Sequence, residues 1–347
     1  MRSAARDSLK AKALWFSAQR VAELFPETAP APGPGEVRVR AALSAVSHGT
    51  EMLVYRGEVP EELPLDLPTF AGGFSFPIKH GYASVGRVLD TGPGVENLSP
   101  GDPVFVHHPH QDVFTIPAGF PVRLPETLDP LRAVFFANME TALNVVHDTP
   151  ARLGEAVVVF GGGVVGLLVT RLLGMAGISP ILVVEPRPER RLLALKMGAD
   201  AAWGPEDDLK ERVYGATGGR GADAAVEASG SGAALAVAVE CVAVEGTVVA
   251  ASWYGTKPVS LPLGGHFHRG RVRVKSSQVG MVAPELSARW DRGRRAGAVI
   301  SFLQDPRIPL HSLVSHRVPF GEAPGIYRML DGGNGGAVQV VFDYREV

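Results

Sequence analysis

The segment EAVVVFGGGVVGLLVTRLLGMAG restricts the fold more than any other stretch of the chain. Residues 157–160 are a continuous apolar run of strand length, glycines follow at once, and residues 167–175 continue as an apolar helix that Gly177 ends. Gly161, Gly163 and Gly166 have the GxGxxG spacing. The first allows a sharp turn, the second lets backbone approach a pyrophosphate, and the third lets helix pack closely on strand, with phosphate on the helix N-terminus beside Val164 and Val165. A second apolar run, 181–184, ends in Glu185, 19 residues after Gly166, where a carboxylate binds adenosine ribose hydroxyls. Alone, the glycine spacing is weak in a chain with 41 glycines; with strand, helix and carboxylate in place it predicts a dinucleotide site. Glu185 repels a 2'-phosphate and favours NAD, whereas Arg187, Arg190 and Arg191 offer charge that suits NADP.

The rhythm continues with helix over 192–197, strand over 224–227, helix over 233–242, and strands over 247–251 and 272–278. This is the pattern of an α/β, doubly wound parallel sheet. Ala228, Ser229 and Gly230, and Ser252, Trp253 and Tyr254, follow strand ends, where such sheets bind ligands, and are expected to line the cofactor cleft.

Before Arg132 the texture changes. Short strands (36–39, 85–89, 104–106) alternate with Pro and Gly turns such as APGPGE and DTGPGVENLSPGD, predicting a compact β-rich domain. Residues 128–146 read as helix, so a boundary is placed near Glu126. After Gly280 come a helix around 287–303, a strand over 314–318, a helix over 323–330 and a closing strand over 338–342. The 347 residues suffice for two cored domains.

Composition excludes several functions. A net charge of -2 gives no cationic excess for nucleic acid. The longest apolar stretch, 156–170, is interrupted by glycines and too short to cross a membrane. The N-terminus has Arg2, Arg6 and Lys10 but also Asp7, and lacks a signal-peptide core, so a cytoplasmic protein is expected. Cys241, in the helix-like AALAVAVECVAV, is the only cysteine; it reads as a buried apolar residue, and zinc sites built from several thiolates are excluded.

Taken together, GEVRVR, the SHGTE turn, GYASVGRV, GDPVFV, GGGVVG with KMGAD, and PFGEAPGIYRML resemble the medium-chain dehydrogenase/reductase superfamily over nearly the whole chain. The resemblance implies a GroES-like catalytic domain, residues 1–126 completed by 281–347, and a Rossmann domain at 127–280. It implies hydride transfer at nicotinamide C4, a small-molecule substrate held between the domains, and a homodimer. SAVSHGTEMLVYRGEVP paired with GYASVGRV is most similar to the branch with the bacteriochlorophyllide hydroxyethyl dehydrogenases.

Zinc-dependent members of that superfamily carry a Cys before the polar turn, a GHE motif, and a Cys or Glu at the start of the linking helix. The corresponding residues here are His48, Tyr82 (in Gly81-Tyr82-Ala83) and Ala137. Only one imidazole remains of the ligand set, so a zinc-free site is expected, with no metal ligands assigned. His107, His108 and His110 of HHPH, with His80, Glu51 and Glu140, are the residues from which a rearranged metal site would have to be built.

Without zinc, donors and bases must surround the reacting oxygen. The resemblance makes Thr50 the relay hydroxyl and Thr141 the residue packed on nicotinamide. Tyr82 is the candidate donor to substrate oxygen and His48 the candidate base, while Glu51 replaces a family acid and would orient His48 or an arginine. Each also has a purely structural reading: a turn cap, a space filler, a backbone partner. His266 and His268, in LGGHFHRGR, read as a solvated loop. The leading expectation is a zinc-independent oxidoreductase for an alcohol or carbonyl compound. The alternatives are an NADPH-dependent enone or quinone reductase, a zinc enzyme with rearranged ligands, and a non-catalytic dinucleotide-binding protein. The insertion at 59–77 is expected to shape the pocket.

Overall fold

A computed structural model describes residues 8–65, 69, 72–333 and 336–345. The N-terminal charges Arg2, Arg6 and Asp7, and part of the 59–77 insertion, lie outside the described residues. Contacts divide the chain into two units, Met1–Ala137 with Leu310–Val347, and Asn138–Pro309.

In chain order the first unit contains β1 (Leu9–Ala18), β2 (Val21–Ala29), β3 (Glu36–Ala45), α1 (Thr50–Tyr55), β4 (Ile78–Lys79), β5 (Ser84–Thr91), β6 (Pro103–Val106), β7 (Val113–Pro117) and β8 (Val122–Arg123). Helices α2 (Pro130–Ala133) and α3 (Phe136–Asp148) follow. Next come β9 (Val157–Phe160), α4 (Val164–Met175), β10 (Ile181–Val184), α5 (Pro188–Lys196), β11 (Ala201–Trp203), α6 (Leu209–Ala216), β12 (Ala222–Glu227), α7 (Gly232–Cys241), β13 (Val242–Ala250), β14 (Arg273–Ser276) and α8 (Arg292–Gln304). β15 (Val314–Pro319), α9 (Ala323–Asp331) and β16 (Gln339–Asp343) return to the first unit.

The first unit is β-rich, as a GroES-like domain requires. β3 is its hub, pairing antiparallel with β5, β7 and β16, and the larger sheet runs β15-β16-β3-β5-β6-β8. Val37, Val39, Val104, Val106, Phe114, Phe320, Tyr327 and Phe342 share one buried cluster, so the C-terminal segment supplies part of this core. The β1–β2 hairpin, missed by the sequence reading, carries β4 on its other edge.

The second unit is a Rossmann sheet. Six parallel strands run β11-β10-β9-β12-β13-β14, and β9 and β10 are buried at every residue because helices cover both faces. Strand order reverses between β9 and β12, which opens a crevice at their carboxyl ends.

Three expectations change. The helix read over 128–146 is two helices, because Asp129 caps α2 through the Leu131 N–H at 2.9 Å and Pro130 starts it. The polar stretch at 48–51 is more than a turn: Thr50 opens α1, whose residues 51–55 are buried. Contacts break after Ala137 and Pro309, where the sequence reading placed boundaries near Glu126 and Gly280. α8 stays with the Rossmann unit because Arg295, 3% exposed, donates to Glu140 (3.0 Å), Asn144 Oδ1 (2.9 Å) and the Val279 carbonyl (2.6 Å). Among the described residues no helix is long and apolar enough to cross a membrane.

Candidate active site

The glycine turn after β9 has the constraints its spacing implies. Gly161 sits at φ +108°, and a Cβ there would lie 2.8 Å from the Ala228 carbonyl oxygen; one on Gly166 would lie 1.9 Å from the Gly161 carbonyl oxygen. Gly163 precedes α4, and a Cβ on it would meet nothing within 4 Å, so the turn is open on that side. Half-buried Val164 and Val165 begin the helix. These residues fit a pyrophosphate on the helix N-terminus.

Glu185 ends β10 with 4% exposure, its Oε2 accepting from the Gly162 N–H at 2.7 Å and its Oε1 from the Arg187 N–H at 3.0 Å. Arg191 donates to the Glu185 carbonyl at 2.9 Å. Arg190 is half-buried, and burial outweighs the nearby Glu185 charge in lowering its guanidinium below the usual arginine range.

At the end of β12 the structure shows a residue that sequence reasoning missed. Glu227 is fully buried; its Oε1 accepts from the Ser229 N–H (2.7 Å), the Ser229 hydroxyl (2.5 Å) and the Gly230 N–H (3.0 Å), and its Oε2 from the Tyr254 hydroxyl (2.5 Å). Gly230 N–H also donates to Ser252 Oγ at 2.8 Å. The Ala228–Ser229 and Ser252–Tyr254 segments are thereby joined around one carboxylate, with Trp253 exposed beside them. The available signal was the one that identified Glu185, an acid closing an apolar strand. Thr141 is half-buried in α3. His266 is tied to the Val242 carbonyl at 2.8 Å and His268 is exposed. Cys241 is buried, and that burial pushes its thiol up to about 12.

In the first unit, polar groups converge on Glu51, which is fully buried. Its Oε1 accepts from the Ser47 N–H at 2.7 Å; its Oε2 accepts from His110 Nε2 at 3.0 Å and from the Tyr327 hydroxyl. Burial alone would raise its pKa, but the neighbouring His110 and His80 and the Ser47 N–H outweigh it and hold the carboxyl below its usual value. His110 holds the Glu51 carboxylate, where the sequence led us to expect Glu51 to orient His48 or an arginine. The half-buried Tyr82 donates its hydroxyl to Ser47 Oγ and is also hydrogen-bonded to Thr50. His48 and Thr50 flank this pair on the exposed start of α1, both half-buried.

The HHPH histidines disperse. His107 Nδ1 meets the Tyr82 carbonyl at 3.1 Å, His108 stacks on Phe114 with centroids 3.7 Å apart, and His110 turns to Glu51 and Ser44. Glu140 is engaged by Arg295. Among the described residues no group of three or more His, Cys, Asp or Glu is placed to hold a metal ion. A phenol and a methyl group at positions 82 and 137 do not suit zinc, so these residues do not fit the ion that the superfamily implies.

Residues 164–292 match the family model described as zinc-binding dehydrogenase. D-guloside 3-dehydrogenase of Escherichia coli (strain K12) is 27% identical over 334 residues, spanning 91% of this chain and 95% of that protein. (R,R)-butanediol dehydrogenase of Bacillus subtilis (strain 168) is 28% identical over 249 residues, 63% of this chain and 71% of that protein. An Escherichia coli oxidoreductase/dehydrogenase of unknown specificity has a similar fold, with TM-score 0.81 at 16% identity, covering 96% of this chain and 99% of that one. A putative zinc-binding dehydrogenase from Sinorhizobium meliloti 1021 bound to NADP does so at TM-score 0.78 and 21% identity, with the same coverage of each chain. Over most of its length the chain is similar to zinc-binding dehydrogenases of the medium-chain dehydrogenase/reductase superfamily. It is an NAD(P)-dependent oxidoreductase. The family-model match lies wholly at 164–292, so it covers none of positions 48, 82 and 137.

Proposed function

We propose that the chain transfers hydride between nicotinamide and an alcohol or carbonyl compound without a catalytic zinc ion. The observation that carries this reading is Tyr82, whose hydroxyl is held by Ser47 and Thr50 at the position where zinc-dependent relatives have a histidine ligand. Bound NAD(P) supplies the hydride acceptor or donor. The turn from Gly161 to Gly166 would hold its pyrophosphate, Glu185 and Arg190 its adenosine ribose, and Ala228, Ser229, Ser252, Trp253 and Thr141 the nicotinamide side.

At the reacting oxygen, Tyr82 turns its single hydroxyl proton from Ser47 Oγ to the substrate, Thr50 relays the substrate's proton and His48 accepts it. Burial raises the Tyr82 phenol, so it stays protonated and able to donate at neutral pH. The named relatives act on a guloside and a butanediol, which makes polyhydroxylated secondary alcohols the first substrates to assay. Resemblance to the bacteriochlorophyllide hydroxyethyl dehydrogenases rests on SAVSHGTEMLVYRGEVP and GYASVGRV, and adds secondary hydroxyethyl groups to that panel.

The test is turnover of NAD with this panel, and of NADPH with enones and quinones, alongside metal analysis. Alcohol-dependent NAD reduction that survives exhaustive chelation is expected. Stoichiometric zinc, with activity lost on chelation and restored by zinc, overturns the proposal; activity confined to enones assigns the chemistry to the reductase alternative.

A further inference from the structure

We infer that His110 is a positioning residue for this reaction, acting through Glu51 and Ser47 to hold the Tyr82 hydroxyl at the reacting oxygen. The inference rests on the role given to Tyr82 above.

Two lines of contact run from His110 to Tyr82. One passes through Glu51: His110 Nε2 donates to its carboxylate, the same carboxylate accepts the Ser47 N–H, and the Ser47 hydroxyl accepts from Tyr82. Ser47 and Glu51 are tied a second time, Glu51 N–H donating to the Ser47 carbonyl at 3.0 Å, so Ser47 cannot shift without the carboxylate. The other line is steric. Gly81, at φ +111°, precedes Tyr82, and a Cβ on it would fall 2.5 Å from His110 Cδ2. The imidazole therefore lies against the backbone that carries Tyr82.

His110 is itself fixed on every side. Its Nδ1 shares a hydrogen bond with Ser44 Oγ (2.6 Å), which shares another with the Tyr344 hydroxyl (2.8 Å). Its ring meets Phe342 edge-on, with centroids 5.0 Å apart, its N–H donates to the His80 carbonyl at 3.3 Å, and its carbonyl accepts from Leu14 N–H at 2.9 Å. Tyr327 adds a third donor to Glu51. A buried carboxylate with such partners is a poor way to gain stability, because a well-packed apolar side chain does as well or better. Directional hydrogen bonds give what an apolar side chain lacks, a fixed place for the Ser47 hydroxyl.

The test compares His110→Gln, whose amide reaches the position of Nε2, with His110→Asn, whose amide reaches only that of Nδ1. Tyrosine labelled with ¹³C at Cζ gives a signal for Tyr82, identified among the six tyrosines by its loss in Tyr82→Phe. We expect His110→Asn to shift and broaden that signal and to lower kcat on the order of 10-fold to 100-fold, with KM for NAD unchanged. His110→Gln should restore both. Tyr327→Phe, which keeps the ring in the core and removes one donor, should move the signal in the same direction and covers the case in which His110→Asn does not fold. A Tyr82 signal unmoved in His110→Asn, or in Tyr327→Phe if that variant alone folds, overturns the inference whatever the activity. A signal that moves as expected in a protein without alcohol or carbonyl turnover leaves the positioning intact and overturns the functional reading instead.

Discussion

The glycine turn after β9 and the cluster around Glu51 both bury a carboxylate, and they satisfy it by opposite means. Glu185 accepts from two backbone N–H groups, of Gly162 in the turn after β9 and of Arg187 two residues on. Glu51 draws on side chains 59 and 276 residues away, His110 and Tyr327, beside one local N–H. Backbone donors arrive with a local conformation, so such a site tolerates changed side chains and fails where a Cβ intrudes. Side-chain donors can be removed singly, and the Glu51 cluster is therefore the easier of the two to alter.

Substitutions at Gly166 and Tyr82 are the most direct ways to break that contrast. Gly166→Val puts atoms where the Gly161 carbonyl oxygen stands, 1.9 Å from the Cβ position. NAD binding should disappear in calorimetry, with a loss of about 3 kcal/mol in urea unfolding, at the upper end for overpacked sites; a variant that binds NAD normally would show that the turn is not backbone-limited. Tyr82→Phe should leave NAD affinity unchanged and lower kcat by about 100-fold, the usual effect of removing one preorganised donor to a developing oxyanion. Equal losses of cofactor affinity and kcat would mean that Tyr82 acts on the cofactor and not on the oxygen.

The same contrast explains what could be read from sequence. β9, α4, β10 and Glu185 are legible because strand, glycine spacing and carboxylate lie within one short segment, each constraint acting between neighbours. Glu227 carries an equal local signature, an acid closing an apolar strand, and was missed because its role appears only when Tyr254 and Ser229 fold onto it. His110 and Tyr327 have no local signature. HHPH reads as a ligand cluster by composition, yet the chain between β6 and β7 sends its three imidazoles to a carbonyl, an aromatic ring and a carboxylate. The α1 helix is similarly hidden, since SHGTE carries turn residues while its helical face, Met52 to Tyr55, is stabilised by the distant core.

Arg295 sharpens the comparison from within the Rossmann unit, where one network does depend on a buried side-chain donor. Replacing it with Met takes the guanidinium away from Glu140 and Asn144 Oδ1, and should cost about 3 kcal/mol, as for a buried pair that loses one partner. Arg87→Met, which breaks an ion pair whose side chains are 56% and 64% exposed, should cost less than about 1 kcal/mol. Similar values for the two in urea unfolding would remove the distinction between buried and exposed partners.

The last expected effect is a slope with pH. Burial, acting against the Pro109 carbonyl, pushes His108 down to about 3, and burial against the Glu51 charge pushes His80 down to about 4. Both are neutral when folded, whereas the unfolded chain binds a proton on each below about 6.5. Their contribution is therefore full above about 6.5 and is lost as pH falls toward the folded values, at no more than about 1.4 kcal/mol per pH unit for each group. His108→Phe keeps the stack on Phe114 and removes one such proton, so its stability should fall less steeply between pH 6.5 and 4.5 than that of the unsubstituted protein. Hydrogen exchange locates the effect: amides of β6 and β7 should lose protection on acidification before those of β9 and β10, whose cofactor turn rests on backbone donors. Simultaneous loss in all four strands would place the acid-sensitive groups elsewhere.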